Sequence, residues 1–182
     1  MKVKFFTVPN LLTLGNLLCG SYAAVVLIAY NDFPTAMLLI VAAALFDFCD
    51  GFAARLLHSA SPIGVQLDSL ADMVSSGVAP TAVMLTLAWQ AGSSWWTADT
   101  GGPWSWIVLL LAVGTALRLA KFNIDETQHT EFCGLPTPAN ALFFVALGWM
   151  DAKTGFNQGG WVLLMVPAMS WLLISPVRMF AF

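Results

Sequence analysis

The chain has 182 residues, of which 59% are hydrophobic and 9% charged, with a net charge of -3. Soluble domains carry about 25% charged residues, so this composition excludes an ordinary soluble fold. It also holds no basic patch that would attract nucleic acid.

A membrane-spanning helix takes about 20 apolar residues, so the chain has room for about six spans and little else. The first expected span runs from about Leu11 to Tyr30. Lys2 and Lys4 precede it in the order of a signal peptide. The apolar run is long for a signal core, however, and further spans follow, so the segment is expected to remain. The second span is expected from about Thr35 to Leu57, the third from Ile63 to Trp89 and the fourth from Trp104 to Phe122. The fifth, about Pro138 to Asp151, is short for a full crossing, and the sixth covers about Gly160 to Met179. There is no repeat and no long linker, so residues 1–182 are expected to form one all-α, polytopic membrane domain.

The basic residues set the orientation. With a cytoplasmic N-terminus, Lys2, Lys4, Arg55, Arg118, Lys121 and Arg178 lie inside and Lys153 outside, so both termini are expected in the cytoplasm. The Trp-rich segment Trp89 to Trp106 then falls at the outer interface, where indoles favour the headgroup layer. Cys19, Cys49 and Cys133 form no CxxC pair and are expected as reduced thiols. His58 and His129 fall in expected loops and read as solvated residues.

The acids are the anomaly. Asp47, Asp50, Asp68 and Asp72 lie within expected spans. Each carboxylate costs about 2.5–3.5 kcal/mol near the bilayer centre, or about 10 kcal/mol for the set if uncompensated. Asp47 and Asp50 are three apart and Asp68 and Asp72 four apart, so each pair shares one helix face. The short turn at Ser59, Ala60, Ser61 and Pro62 makes the two helices antiparallel. All four acids can therefore converge at one depth, toward the cytoplasmic side. Carboxylates so gathered repel unless hard divalent cations separate them. Two metals about 3.5–4 Å apart would suit so many acids, an arrangement recurrent in phosphoryl chemistry. Gly51, Ala54 and Gly64 leave room for a ligand beside the metals, or serve close helix packing. Arg55 offers a fork of donors suited to phosphate or carboxylate.

The pattern D-x2-D-G-x2-A-R-x8-G-x3-D-x3-D resembles the signature of the CDP-alcohol phosphotransferase family. It is filled here by Asp47, Asp50, Gly51, Ala54, Arg55, Gly64, Asp68 and Asp72. The resemblance implies a helical membrane fold, transfer of a substituted phosphate from a CDP-linked donor to a hydroxyl, release of CMP, and a homodimer. It implies Asp47, Asp50 and Asp68 as metal ligands, with Asp72 both touching the second metal and acting as general base. It implies space for cytidine at Gly51 and Ala54, and contacts to the nucleotide and its diphosphate from Arg55 and Ser61. Asn10 to Thr13 resembles another part of the CDP-lipid site. The cofactors implied are two divalent cations, Mg2+ or Mn2+.

The runs PNLLTLGNLLCG (Pro9 to Gly20), RLAKFN (Arg118 to Asn123) and GLPTPAN (Gly134 to Asn140) resemble the bacterial-type phosphatidylserine synthases, a branch of that family. Lys121 stands where arginine is more usual, keeping the charge but losing the planar fork. This branch implies CDP-diacylglycerol as donor, L-serine as acceptor and a cytoplasmic-membrane location with the site facing the cytoplasm. Arg118, Lys121, Asn123 and Thr137 are then candidates for the serine pocket, although both cations also fit as positive-inside anchors. Asp125, Glu126 and Glu131 either meet the ammonium group or are solvated. A sister enzyme using glycerol 3-phosphate or an inositol phosphate is the alternative. Its dianionic acceptor should need a denser basic cluster. A divalent-cation transporter or a purely structural membrane protein is a remoter reading.

Overall fold

The computed structural model describes residues 6–59, 61–90, 103–124, 132–155, 161–175 and 178–179. Lys2, Lys4, Ala60, Asp125, Glu126, His129, Glu131 and most of the Trp-rich segment lie outside the described residues.

Helix α1 (Val8–Tyr30) starts where Thr7 caps the Asn10 amide, and ends at Asn31, whose left-handed backbone (φ 56°) donates to Leu27 O. Asp32 follows at once and caps the next helix, accepting from Thr35 N at 3.1 Å. The bonds from Thr35 hold its carboxyl below the usual carboxylate range. This tight link makes α2 (Phe33–Leu56) antiparallel to α1. At the far end of α2 the chain turns through a Schellman motif. The Ser59 amide donates to Ala54 O and the His58 amide to Arg55 O, with His58 left-handed at φ 48°. Ser61 then caps α3 (Pro62–Asp72) through Gly64 N at 3.1 Å.

The expected third span is present but not uniform. A π-helical turn, Met73–Val78, separates α3 from α4 (Ala79–Gln90). Pro80 supplies a reason: it has no amide hydrogen, and its ring would clash with the carbonyl four residues earlier. The wider turn begins directly after Asp72, and the Ala79 amide reaches back five residues to Val74 O. Together, Pro62–Gln90 form the most buried candidate span. A 3-10 turn, Pro103–Val108, leads into α5 (Leu109–Ile124). Then come α6 (Thr137–Thr154), a 3-10 turn at Trp161–Leu164, and α7 (Met165–Ile174).

Four described stretches are long and apolar enough to cross a membrane: Val8–Tyr30, Phe33–Leu56, Pro62–Gln90 and Ser105–Ile124. The protein is therefore an all-α integral membrane protein. The expected fifth and sixth spans fall on α6 and on the shorter apolar stretch Val162–Ile174. Among the described residues, the one addition to an all-α reading is a two-residue antiparallel pairing of β1 (Phe132–Cys133) with β2 (Arg178–Met179).

The apolar core gathers Leu27 of α1, Ile40 of α2, Met84 and Leu87 of α4, Leu111 of α5 and Phe144 of α6. It occupies the half of the bundle near the α1–α2 link. Leu38, Leu45, Phe48 and Phe52 form an exposed stripe on α2 suited to lipid tails. On α1, Asn10, Thr13, Asn16, Gly20 and Ala23 form the buried stripe, polar toward the N-terminus and apolar beyond it. Gly20 lets α1 close on the π turn, since a Cβ there would lie 2.6 Å from Ser75 Cα.

Gly20→Ala should therefore push α1 off the π turn and destabilise the protein by about 1–3 kcal/mol. Thermal unfolding in detergent checks this, and an unchanged melting temperature would show that the approach is not tight.

Candidate functional site

The turn between α2 and α3 places Asp47 and Asp50 beside Asp68 and Asp72, as the spacing predicts. Asp47, Asp50 and Asp68 each present an oxygen within 4.8 Å of the others. Asp72 is buried at 8% exposure and sits against Asp47. Helix α1 supplies the donors. Thr13 Oγ1 donates to Asp50 Oδ2 at 2.5 Å, a short charge-assisted bond. Asn16 Nδ2 donates to Asp72 Oδ1 at 3.0 Å, and Asn16 is fully buried.

The donor set fits a cation. Asp68 Oδ1 is buried and has no hydrogen-bond partner, so an acceptor is left unmet among further acceptors. An ionised carboxylate can only accept, and hard divalent ions take such oxygen ligands. The site can hold a divalent metal through Asp47, Asp50 and Asp68.

Beside the acids lies an open cleft of about 190 Å³. Its lining includes Asn10, Thr13, Asp50, Gly51, Ala54, Ser61, Gly64 and Asp68. The small residues have different surroundings. A Cβ on Gly51 would meet nothing within 4 Å, so Gly51 borders open space. A Cβ on Gly64 would lie 3.2 Å from both Asn10 Oδ1 and Ser61 Oγ, so Gly64 keeps two polar cleft atoms apart. Arg55 is exposed in the last turn of α2 and is not among the cleft-lining residues.

The candidates on α5 and α6 divide. Arg118 Nη1 donates to Thr137 Oγ1 at 3.4 Å, and its charge bears on Asp72. Lys121 and Asn123 are exposed at the end of α5, and Asn123 Nδ2 donates to Ser69 Oγ of α3 at 2.8 Å. Sequence reasoning passed over Asn16, which lies in an apolar run. Its signal was the repeat of Asn10, Thr13 and Asn16 every three residues, one polar stripe on a membrane helix. It gave Asn140 no role beyond closing the GLPTPAN run, and this residue is fully buried on α6.

The sequence model of the CDP-alcohol phosphatidyltransferase family matches residues 6–176. The chain belongs to this family. It is 36% identical over 190 residues to the CDP-diacylglycerol–serine O-phosphatidyltransferase of Mycobacterium tuberculosis, covering 97% of this chain and 62% of that relative. It is 35% identical over 175 residues to the enzyme of the same name from Bacillus subtilis, covering 94% of this chain and 88% of the relative. The corresponding Helicobacter pylori protein is 30% identical over 175 residues, covering 93% and 70%. The chain thus spans about three fifths of the length of the mycobacterial relative.

Titration of the purified protein with Mn2+, followed by calorimetry, tests the metal site. Asp68→Asn should weaken binding by at least about tenfold, because even outer-shell changes cost 10–100-fold. Unaltered affinity would remove Asp68 from the ligand set.

Proposed function

We propose that the chain transfers the phosphatidyl group from CDP-diacylglycerol to the hydroxyl of L-serine, giving phosphatidylserine and CMP. One observation carries this reading: Asp72 has a cleft beside its acid cluster, lined by α1, α2 and α3, and a cation on α5. The printed names of the bacterial relatives support the same donor and acceptor.

The donor's cytidine and diphosphate occupy the cleft. Gly51 and Ala54 leave space for the base, while Asn10, Thr13, Ser61 and the Gly64 turn bound the polar part. Arg55 reaches toward the nucleotide from the rim. The acyl chains stay among the exposed apolar side chains of the bundle. Asp47, Asp50, Asp68 and Asp72 would hold two divalent cations, Mg2+ or Mn2+, which would neutralise the diphosphate charge.

Arg118 and Thr137 hold the serine carboxylate, with Lys121 and Asn123 at the entrance from the cytoplasm. Asp72 accepts the hydroxyl proton as the serine oxygen forms its bond to the lipid-side phosphorus. The bond from that phosphorus to the CMP oxygen breaks, and CMP leaves with its electron pair. Asn16, donating to Asp72 Oδ1, steadies the carboxylate that receives the proton. The transfer is direct and has no covalent enzyme intermediate. The site faces the cytoplasm, with both termini on that side, and the homodimer implied by the resemblance belongs to the same proposal.

CMP release from CDP-diacylglycerol by the purified protein, with L-serine, glycerol 3-phosphate or inositol phosphate as acceptor, is the decisive assay. Serine should be fastest, and release should stop when divalent cations are chelated. Faster release with glycerol 3-phosphate would reject serine as acceptor.

Asp72→Asn should lower kcat by about 10²–10⁴-fold, the usual contribution of a general base. It should retain much of the CDP-lipid binding. Full activity in that variant would take the base role away from Asp72.

A further inference from the structure

Helices α5 and α6 each carry a pair of polar residues three apart, and so on one face. Thr115 and Arg118 are on α5, and Thr137 and Asn140 on α6. The Arg118–Thr137 contact joins the two pairs. Thr115 also packs on the π turn that follows Asp72, where a Cβ on Gly77 would lie 3.3 Å from it. None of these four residues lines the cleft on the α1–α3 side.

Asn140 is 0% exposed, and neither its Nδ2 nor its Oδ1 has a hydrogen-bond partner. Arg118 Nε and Thr115 Oγ1 are buried and unpartnered as well. Unmet polar atoms are costly, and an apolar residue of the same shape would avoid that cost. A purely structural position would thus favour leucine. The unmet atoms form a complementary set: two N–H donors, from Arg118 and Asn140, and two oxygen acceptors, from Asn140 and Thr115. A zwitterionic amino acid presents the matching groups, a carboxylate and an ammonium.

We propose that Asn140 is a specificity-determining residue for an α-amino-acid acceptor. Its amide N–H, with Arg118 Nε–H, reads the carboxylate. Its Oδ1, with Thr115 Oγ1, reads the ammonium. The Arg118–Thr137 contact, at 3.4 Å, is long for a hydrogen bond, so exchanging it for the incoming carboxylate costs little. An acceptor without an ammonium leaves Oδ1 buried and unmet, and is rejected for that reason. The inference rests on the proposed transfer to serine.

The test compares wild type, Asn140→Leu and Asn140→Ser as full-length protein in mixed micelles. CMP release is measured with L-serine, with ethanolamine, which lacks the carboxylate, and with 3-hydroxypropionate, which lacks the ammonium. In both variants the KM for serine should rise at least about tenfold, and the preference for serine over either analogue should fall by a similar factor. The KM for CDP-diacylglycerol should stay within about twofold, because the donor cleft is made by other helices. The melting temperature of Asn140→Leu should equal or exceed that of wild type, since the buried unmet amide is gone. A wild type that releases no CMP with serine would overturn the proposed function itself. An active wild type, with Asn140→Ser keeping both the serine KM and the preference, would overturn this inference alone, whether or not Asn140→Leu folds.

Discussion

Buried carboxylates must find donors or cations, and this requirement organises the polar half of the bundle. Each of the four intramembrane aspartates costs about 2.5–3.5 kcal/mol on its own. Helix α1 answers part of that cost with hydrogen bonds from Thr13 to Asp50 and from Asn16 to Asp72. The remaining charge, concentrated at Asp47, Asp50 and Asp68, can be met by a metal ion. The polar stripe of α1 and the acid faces of α2 and α3 form one unit, and a change in any one exposes the others to an unmet charge.

The apolar half makes that unit possible. A core built on Leu27, Ile40, Met84, Leu87, Leu111 and Phe144 fixes the helices near the α1–α2 link. The polar ends are then held together by the geometry of the bundle, not by their own attraction. Backbone detail refines the placement. Pro80 is answered by a π turn beginning just after Asp72, and Gly20 allows α1 to lie against that turn. Asp72 therefore stands where a regular helix gives way to a wider one. π turns of this kind recur at functional sites because they redirect side chains locally.

The distribution of unmet polar atoms follows the same logic. Asp68 Oδ1 lies on the donor side, while Arg118 Nε, Thr115 Oγ1 and both amide atoms of Asn140 lie on α5 and α6. Each buried polar atom without a partner costs about 1–3 kcal/mol. At Asp68, and at Thr115 and Arg118 beside the π turn that follows Asp72, ligands of the proposed reaction can recover that stability on binding. The small residues beside the acids also have distinct uses: Gly51 borders open space, and Gly64 separates Asn10 from Ser61.

The sequence by itself determined the membrane class, the long apolar helices and the convergence of the four aspartates. Those features depend on local periodicity and on one short turn, so three- and four-residue spacings suffice to place the acids on facing helix surfaces. The cleft residues Asn10, Thr13, Gly51, Ala54, Ser61 and Gly64 were legible for a related reason: they sit within a few turns of the signature or open the first span. Only the tertiary structure decided which distant groups reach Asp72. Asn16 is 56 positions away from it in the chain, and Arg118 belongs to a helix packed on the π turn. Nor could the sequence separate Arg118 and Thr137, which meet, from Lys121 and Asn123, which are exposed. All four carry suitable chemistry. Which of them turns inward depends on how α5 rotates against α7 and the π turn, and that rotation is set by packing over the whole bundle rather than by any local pattern.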